Sequence, residues 1–260
     1  MKNLNFIVVG LAFFLSLSCS TLDVKIPVAN INSPELVLKN NGQLNLAVET
    51  TKTLTTTDDA SSRPPVFTEK LTNSNTINLD YNYGIADHLL IGGGVNSDFG
   101  LRLQVQYQFI NSTQKNTGWS SAISAILNYD STNRSGSQDG TFGAGGYPWS
   151  GSLTTSGSGL GLSTGYRFNE NLMSYIGIGY SQFDSKTTID QKPSDNGLNQ
   201  GGSYTQKGRG QSQTVGFGFQ IDFTKIHLKP VVQWTDFKYE NQKEQSVLGL
   251  LTITVDNPLH

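Results

Sequence analysis

The sequence predicts an all-β protein, a transmembrane antiparallel up-and-down β-barrel of about ten strands, with about 8–12 as the range. Three observations predict it: apolar and polar residues alternate over long segments, charge is scarce, and no segment is long enough for a membrane helix. Charged residues make up 15% of the 260 residues, below the roughly 25% typical of soluble domains. The net charge of −2 argues against a nucleic-acid partner.

Residues 1–18 have the pattern of a signal peptide. Lys2 supplies the positive charge, residues 6–17 are almost wholly apolar, and Ser16, Leu17 and Ser18 form a small-x-small cleavage site. A membrane helix needs about 20 apolar residues, and no later segment approaches that length. Strands must therefore do any spanning.

Cys19 is the only cysteine, and it follows the cleavage site directly. Its position resembles the lipobox of bacterial lipoproteins, in which this cysteine carries the lipid, although Ser16 occupies the place of the usual branched apolar residue. The alternative is ordinary cleavage that leaves a free thiol. Residues 19–42 then form an N-terminal tether, a periplasmic lead or a segment that enters the lumen, and the sequence does not choose among these.

Period-two alternation indicates strands with two unlike faces. In residues 100–110, Leu, Leu, Val, Tyr and Phe alternate with Arg and Gln. Many segments reach the 9–11 residues that a tilted spanning strand needs. The barrel is assigned to residues 43–256, with strands predicted near 43–53, 75–84, 87–96, 100–110, 118–130, 158–168, 171–184, 211–223, 225–239 and 245–255.

The links between these strands sort by length. Most links after even-numbered strands are short, whereas three links after odd-numbered strands are long, polar and rich in Gly, Ser, Thr, Gln or Asn: 54–74, 131–157 and 185–210. Outer-membrane barrels have short periplasmic turns and longer extracellular loops. We therefore expect these three loops outside, where they meet a partner.

Aromatic residues mark the ends of alternate strands, which is where a girdle at the periplasmic interface is expected. They are Tyr81, Tyr83, Tyr107, Phe109, Tyr166, Phe168, Phe219 and Phe223.

Residues 77–109, with the stretch YGIADHLLIGGGV at their centre, resemble the hairpins of bacterial outer-membrane β-barrel proteins. The resemblance is one of architecture and is not tied to a single family. It implies location in the outer membrane, contact with its lipid, and insertion by the barrel assembly machinery. One departure is the C-terminus: such barrels usually end in an aromatic residue, whereas residues 255–260 read VDNPLH.

The polar faces of the strands carry charges of both signs, which are predicted to line the lumen. We expect them to pair, because an unpaired buried charge is costly, and the resulting network to close much of the lumen. The alternative is that several of them lie at hydrated rims. The residues are Glu49, Asp80, Arg102, Arg167, Asp222 and Lys229.

The sequence gives no signal for catalysis, a metal or a cofactor. Histidines are scarce, and His88 and His227 begin strands at the predicted periplasmic end. Phe142, Tyr147 and Trp149 in the second long loop are contact candidates. We therefore expect a non-enzymatic barrel with a structural or surface-interaction role. The alternatives are a small-solute pore and a lipid-anchored soluble barrel of lipocalin type that holds a small apolar ligand.

Overall fold

The computed structural model describes residues 22–59, 66–98, 100–110, 117–136, 149–191 and 202–256. These residues form an all-β structure. Its strands are β1 Leu22–Lys25, β2 Gly42–Asp59, β3 Val66–Ala86, β4 Leu89–Asn96, β5 Leu101–Ile110, β6 Gly118–Gly136, β7 Trp149–Asn169, β8 Leu172–Gln191, β9 Gly202–Asp222, β10 Ile226–Tyr239 and β11 Gln242–Asp256.

Strands β2 to β11 form a closed ring in which each strand pairs antiparallel with the next along the chain. The ring closes where β11 pairs with β2, from Leu250 opposite Glu49 to Asp256 opposite Gln43. The predicted up-and-down barrel of ten strands is therefore confirmed. Its last strand, β11, closes the ring against the first.

The outward side chains form an apolar belt around the barrel. Alternate residues of β5, including Leu103, Val105 and Tyr107, are exposed, whereas Gln106 is buried. Among the described residues, no helix is long and apolar enough to cross a membrane. A ring with an apolar outside and a polar inside is suited to lipid, and this is the reverse of the lipocalin-type alternative, in which apolar faces point inward.

The two ends of the belt differ. The turns between β3 and β4, β7 and β8, and β9 and β10 lie at one end and are short, so this end is periplasmic by the rule for outer-membrane barrels. The predicted aromatic residues lie there. Tyr166 forms edge-on contacts with Trp119 and Phe168, each at a centroid distance of 5.3 Å, so neighbouring strands share one aromatic girdle.

The outer strands are longer than predicted. Strands β7 and β8 remain paired from Asn169 opposite Leu172 to Trp149 opposite Gln191, far beyond the belt. Most of 54–74, 131–157 and 185–210, expected as loops, is therefore strand, and only 60–65, 137–148 and 192–201 lie outside the described residues. Alternation fails as a signal here because, above the membrane, the outward face is polar as well.

The hairpin of β2 and β3 changes its surroundings along its length. Near the periplasm, Leu46 and Val48 face outward and are about half exposed. Further out, Lys52 and Leu54 lie on the same face of β2 but are fully buried. There the hairpin packs against β1 and the inner faces of β7 to β11. This apolar core fills the outer lobe and contains Leu22, Val24, Ile26, Val28, Leu54, Leu71, Leu153, Phe183, Ile189, Phe237, Tyr239 and Leu248.

Candidate functional site, a plugged lumen

Residues 22–37, called the plug below, lie inside the barrel. Nearly all of them are buried. Leu22 pairs with Thr56 near the outer end of β2, while Lys39, just after the plug, bridges to Gly84 at the periplasmic end. Asn40, at a φ of 63°, then turns the chain into β2. Residues 22–37 therefore lie in the lumen, which is one of the three arrangements that the sequence leaves open for this part of the chain.

Glycines on the inner wall make room for the plug. A β-carbon at Gly179 would lie 2.7 Å from the carbonyl oxygen of Ala29, and one at Gly177 would lie 2.6 Å from a methyl carbon of Ile31. Contacts this short are not tolerated between real atoms, so the plug backbone approaches this wall only because these residues lack side chains. Gly157, Gly159 and Gly216 also face the plug closely.

Barrel side chains satisfy the backbone of the plug where it has no strand partner. The Ser181 hydroxyl donates to the Pro27 carbonyl at 2.9 Å, and the Gln106 amide donates to the Ser33 carbonyl at 2.8 Å. The Ile31 N–H donates to the Gln233 side-chain oxygen at 2.8 Å. Buried backbone groups without partners are costly, so these bonds allow an irregular segment to lie in a closed lumen.

A cluster of charges fixes the periplasmic end of the plug. Arg167 on β7 makes a two-pronged contact with Glu35 of the plug, with Nε 2.6 Å from Oε1. The same guanidinium lies 2.7 Å from Asp222. His227 lies between two carboxylates, 2.6 Å from Asp222 and 2.9 Å from Asp256. The buried positive charge of Arg167 is therefore matched by carboxylates from both plug and barrel.

The predicted lumen charges divide into two sets. Arg167 and Asp222 are in direct contact. The other four line one narrow cavity beside the plug, where Glu49 accepts a hydrogen bond from Asn30 at 2.6 Å, and none of these four forms an ion pair with another described residue. The four are Glu49, Asp80, Arg102 and Lys229.

Sequence reasoning missed Glu35, because residues 20–42 gave no signal of their place in the fold.

The space beside the plug is small. Two cavities, of about 50 Å³ and about 60 Å³, share Asn30, Glu49, Asp80 and Arg102 in their walls. A water molecule occupies about 30 Å³ in the liquid, so each cavity has room for only a few waters. With the apolar core of the outer lobe above them, the described residues fill most of the lumen.

Polar groups also lie buried in the outer lobe. Glu69 accepts a hydrogen bond from Thr187 at 2.6 Å and another from the hydroxyl of Tyr239. Lys52, fully buried, forms an ion pair with Glu244. These contacts join the β2–β3 hairpin to β8, β10 and β11, and they hold the lobe closed.

The remaining predicted sites are not joined to this lumen. Cys19, Phe142 and Tyr147 lie outside the described residues. Trp149 begins β7, where its backbone pairs with Gly136 and Gln191. Within the described ranges, no group of three His, Cys, Asp or Glu residues is placed to hold a metal ion.

Comparison with known proteins gives likeness of architecture only. No protein-family model matches the chain, and no curated protein sequence does. Among solved structures, the chain is similar to the outer membrane protease OmpT from Escherichia coli at 13% identity, covering 86% of this chain and 98% of that one, with a TM-score of 0.47. Ail of Yersinia pestis matches at 13% identity, 84% and 98% coverage and a TM-score of 0.29. The translocator domain of the autotransporter NalP from Neisseria meningitidis matches at 11% identity, 98% and 95% coverage and a TM-score of 0.33.

These proteins differ in role, and the likeness is too distant to transfer one. The chain's own closed ring, outward belt and short periplasmic turns have the architecture of bacterial outer-membrane β-barrels. The protein is located in the outer membrane.

Proposed function

We propose that the protein is a closed, non-enzymatic barrel whose outer lobe serves a structural or surface-interaction role. One observation carries the proposal: the chain's own residues 22–37 occupy the lumen. A pore needs a continuous aqueous path, whereas this lumen holds a bonded segment and an apolar core. A barrel built in this way positions its outer walls rather than conducting solutes.

The buried acids support a structural role rather than catalysis. Glu35 and Glu69 each accept hydrogen bonds from partners in the barrel wall, and such partners hold a carboxylate in place. His227 lies between two carboxylates at the periplasmic rim. Catalysis on outer-leaflet lipid or at the cell surface would need its base at the other end.

The outer walls offer a surface for a partner. A shallow groove crosses β7, β8 and β9 above the belt and ends at Glu240, just after β10. Its three cations, which include Lys186 and Lys207, outnumber its two carboxylates. These lysines lie directly opposite each other on β8 and β9, and like charges in that relation are unfavourable. Beside them, Arg209 pairs with Asp184 at 2.9 Å. The groove therefore supports contact with a polar partner that carries negative charge.

Conductance across planar bilayers tests the closed state. We expect the purified full-length protein to insert without giving large, stable channels, while a porin reconstituted in parallel shows that the recording detects channels. Stable single-channel steps of porin size would contradict the proposal.

Such steps would support the second candidate, a small-solute pore. The two neighbouring cavities favour it, because they share charged wall residues along one side of the plug. This function would require the plug to move, since the cavities hold only a few waters.

A further inference from the structure

The plug runs through the lumen in one defined direction, and this direction does not depend on the proposed function. The plug runs antiparallel to β2, with Leu22 opposite Thr56 and Lys25 opposite Thr53. The chain then descends to Gly84 before it turns into β2 at Gly42. We infer that the plug threads the barrel from its outer side, so that the chain enters the lumen at Leu22 from the outer surface of the membrane.

The height of Leu22 places it beyond the lipid. Thr56 lies 14 residues along β2 from Gly42, which is roughly 46 Å of strand. At the usual tilt of 35–45° this gives roughly 35 Å of height, against an apolar band about 25 Å tall. The apolar belt agrees: Lys25 bonds to Asp130 and Thr155, and the exposed apolar residues Tyr129 and Leu160 on those two strands lie on the periplasmic side of these contacts. Leu22 therefore lies in the outer lobe, above the outer edge of the belt.

The order of apolar and polar residues along the plug fits this direction and does not fit a plug that runs the opposite way. Its first half supplies Leu22, Val24, Ile26 and Val28 to the apolar core of the outer lobe. Its second half is more polar and meets polar partners nearer the periplasm, ending with Glu35 against Arg167. A reversed plug would bury that carboxylate among apolar side chains and leave Arg167 with Asp222 alone, which is strongly unfavourable for the carboxylate.

Contacts along the whole plug fix its register as well as its direction. In the outer lobe, the Thr155 hydroxyl donates to the Lys25 carbonyl at 3.0 Å. At the middle, Asn30 donates to Glu49 at 2.6 Å. Near the periplasm, the hydroxyl of Ser33 donates to Gln220 at 2.6 Å. These partners lie on different strands, so a shift by a few residues would break all three bonds.

Cys19, the predicted lipid attachment site, precedes Leu22 by only three residues. The three residues from Cys19 to Leu22 can span at most roughly 11 Å. Cys19 therefore cannot lie at the periplasmic face of the membrane while the plug is seated.

Surface labelling of an inserted epitope tests the inference in intact cells. The tag is inserted between Ser20 and Thr21 of the full-length chain, and antibody binding to intact cells is divided by binding to permeabilised cells. Matched tags after Asn241, in the outer turn between β10 and β11, and after Asn171, in the periplasmic turn between β7 and β8, give the two reference ratios. We expect the N-terminal tag to match the Asn241 tag. A ratio equal to that of the Asn171 tag overturns the inference.

A disulfide test covers the case in which the tag itself disturbs the plug. In a Cys19→Ser background, Val24→Cys is combined with Leu54→Cys, its direct strand partner, or with Leu90→Cys, which lies near the periplasmic end of the plug. We expect oxidation to join Cys residues only in the first pair. Crosslinking of the second pair, or of neither, overturns the inference.

Discussion

Gly179→Val should make the plug open more often while the barrel stays folded. The three atoms nearest to a β-carbon at this position all belong to Ala29 of the plug, at 2.7, 3.0 and 3.5 Å. Ordinary contacts begin at 3.4 Å, so the carbonyl oxygen must retreat by about 0.7 Å for the first carbon alone and further for the two methyl groups of valine. Overpacking of this kind typically costs about 1–3 kcal/mol.

That cost falls mainly on the seated state of the plug, because no atom of the neighbouring barrel strands lies closer than 3.5 Å to the added β-carbon. A loss of about 1–3 kcal/mol corresponds to a factor of about 5–150 in an equilibrium constant. The plug is held by many hydrogen bonds, so we expect it to open more often without leaving the lumen. Opening on this scale is detectable by hydrogen exchange, which reports local stability.

The assay follows three plug amides that donate hydrogen bonds. The N–H of Lys25 donates to Asp130 at 2.8 Å, that of Ile26 to the Lys52 carbonyl at 2.9 Å, and that of Ile31 to Gln233 at 2.8 Å. We expect exchange in the plug to accelerate by about 5–150-fold in Gly179→Val, with little change in the barrel strands.

The control is Gly249→Val, at an outward position where an added β-carbon meets no atom within 4 Å. It should leave plug exchange unchanged. Equal protection of the plug in wild type and Gly179→Val would refute the steric reasoning, and so would a uniform loss of protection across the whole barrel.

The other predictions concern free energies of unfolding, measured by denaturant titration in detergent micelles. Arg167→Met should cost about 3–5 kcal/mol, because it leaves two carboxylates in a buried site without their cation; a loss below about 1 kcal/mol would contradict this. Glu244→Gln should destabilise more than Lys52→Met, because the Lys52 side chain is 0% exposed and the Glu244 side chain 39%, so only the stranded glutamate can be hydrated; the reverse order would contradict the burial of Lys52. Val105→Lys, in the middle of the belt, should cost about 2–4 kcal/mol and Gln245→Lys, outside it, about 0–1 kcal/mol; equal losses would show that Val105 does not face lipid.

The sequence predicted the barrel best where two unlike environments meet. In β5, lipid outside and a polar lumen inside impose alternation on residues 101–110, and the prediction of a strand near 100–110 matches closely. In the outer lobe this contrast disappears. The outward positions of β8 carry Gln182, Asp184 and Lys186, so polar composition alone suggested a loop where the strand continues.

The plug could not be predicted for a different reason. Period two arises when a segment has one buried and one exposed face, whereas residues 22–37 are surrounded by protein and carry prolines at Pro27 and Pro34. Its place depends on partners that are distant in sequence, such as Gln233 for Ile31. The sequence did identify Arg167 and Asp222 as lumen charges, but the partner that joins them to the plug, Glu35, has no local pattern that marks it.

The inner wall shows that plug and barrel are adapted to each other. Gly177 and Gly179 would otherwise carry side chains that fill the lumen, as interior residues of small barrels do. Here that volume is occupied by Ala29 and Ile31. Without the plug, the apolar core of the outer lobe would lose Leu22, Val24, Ile26 and Val28, and Arg167 would lose Glu35; both losses are costly. The plug is therefore as much a part of the folded core as any strand, so conditions that displace it should also lower the stability of the ring that surrounds it.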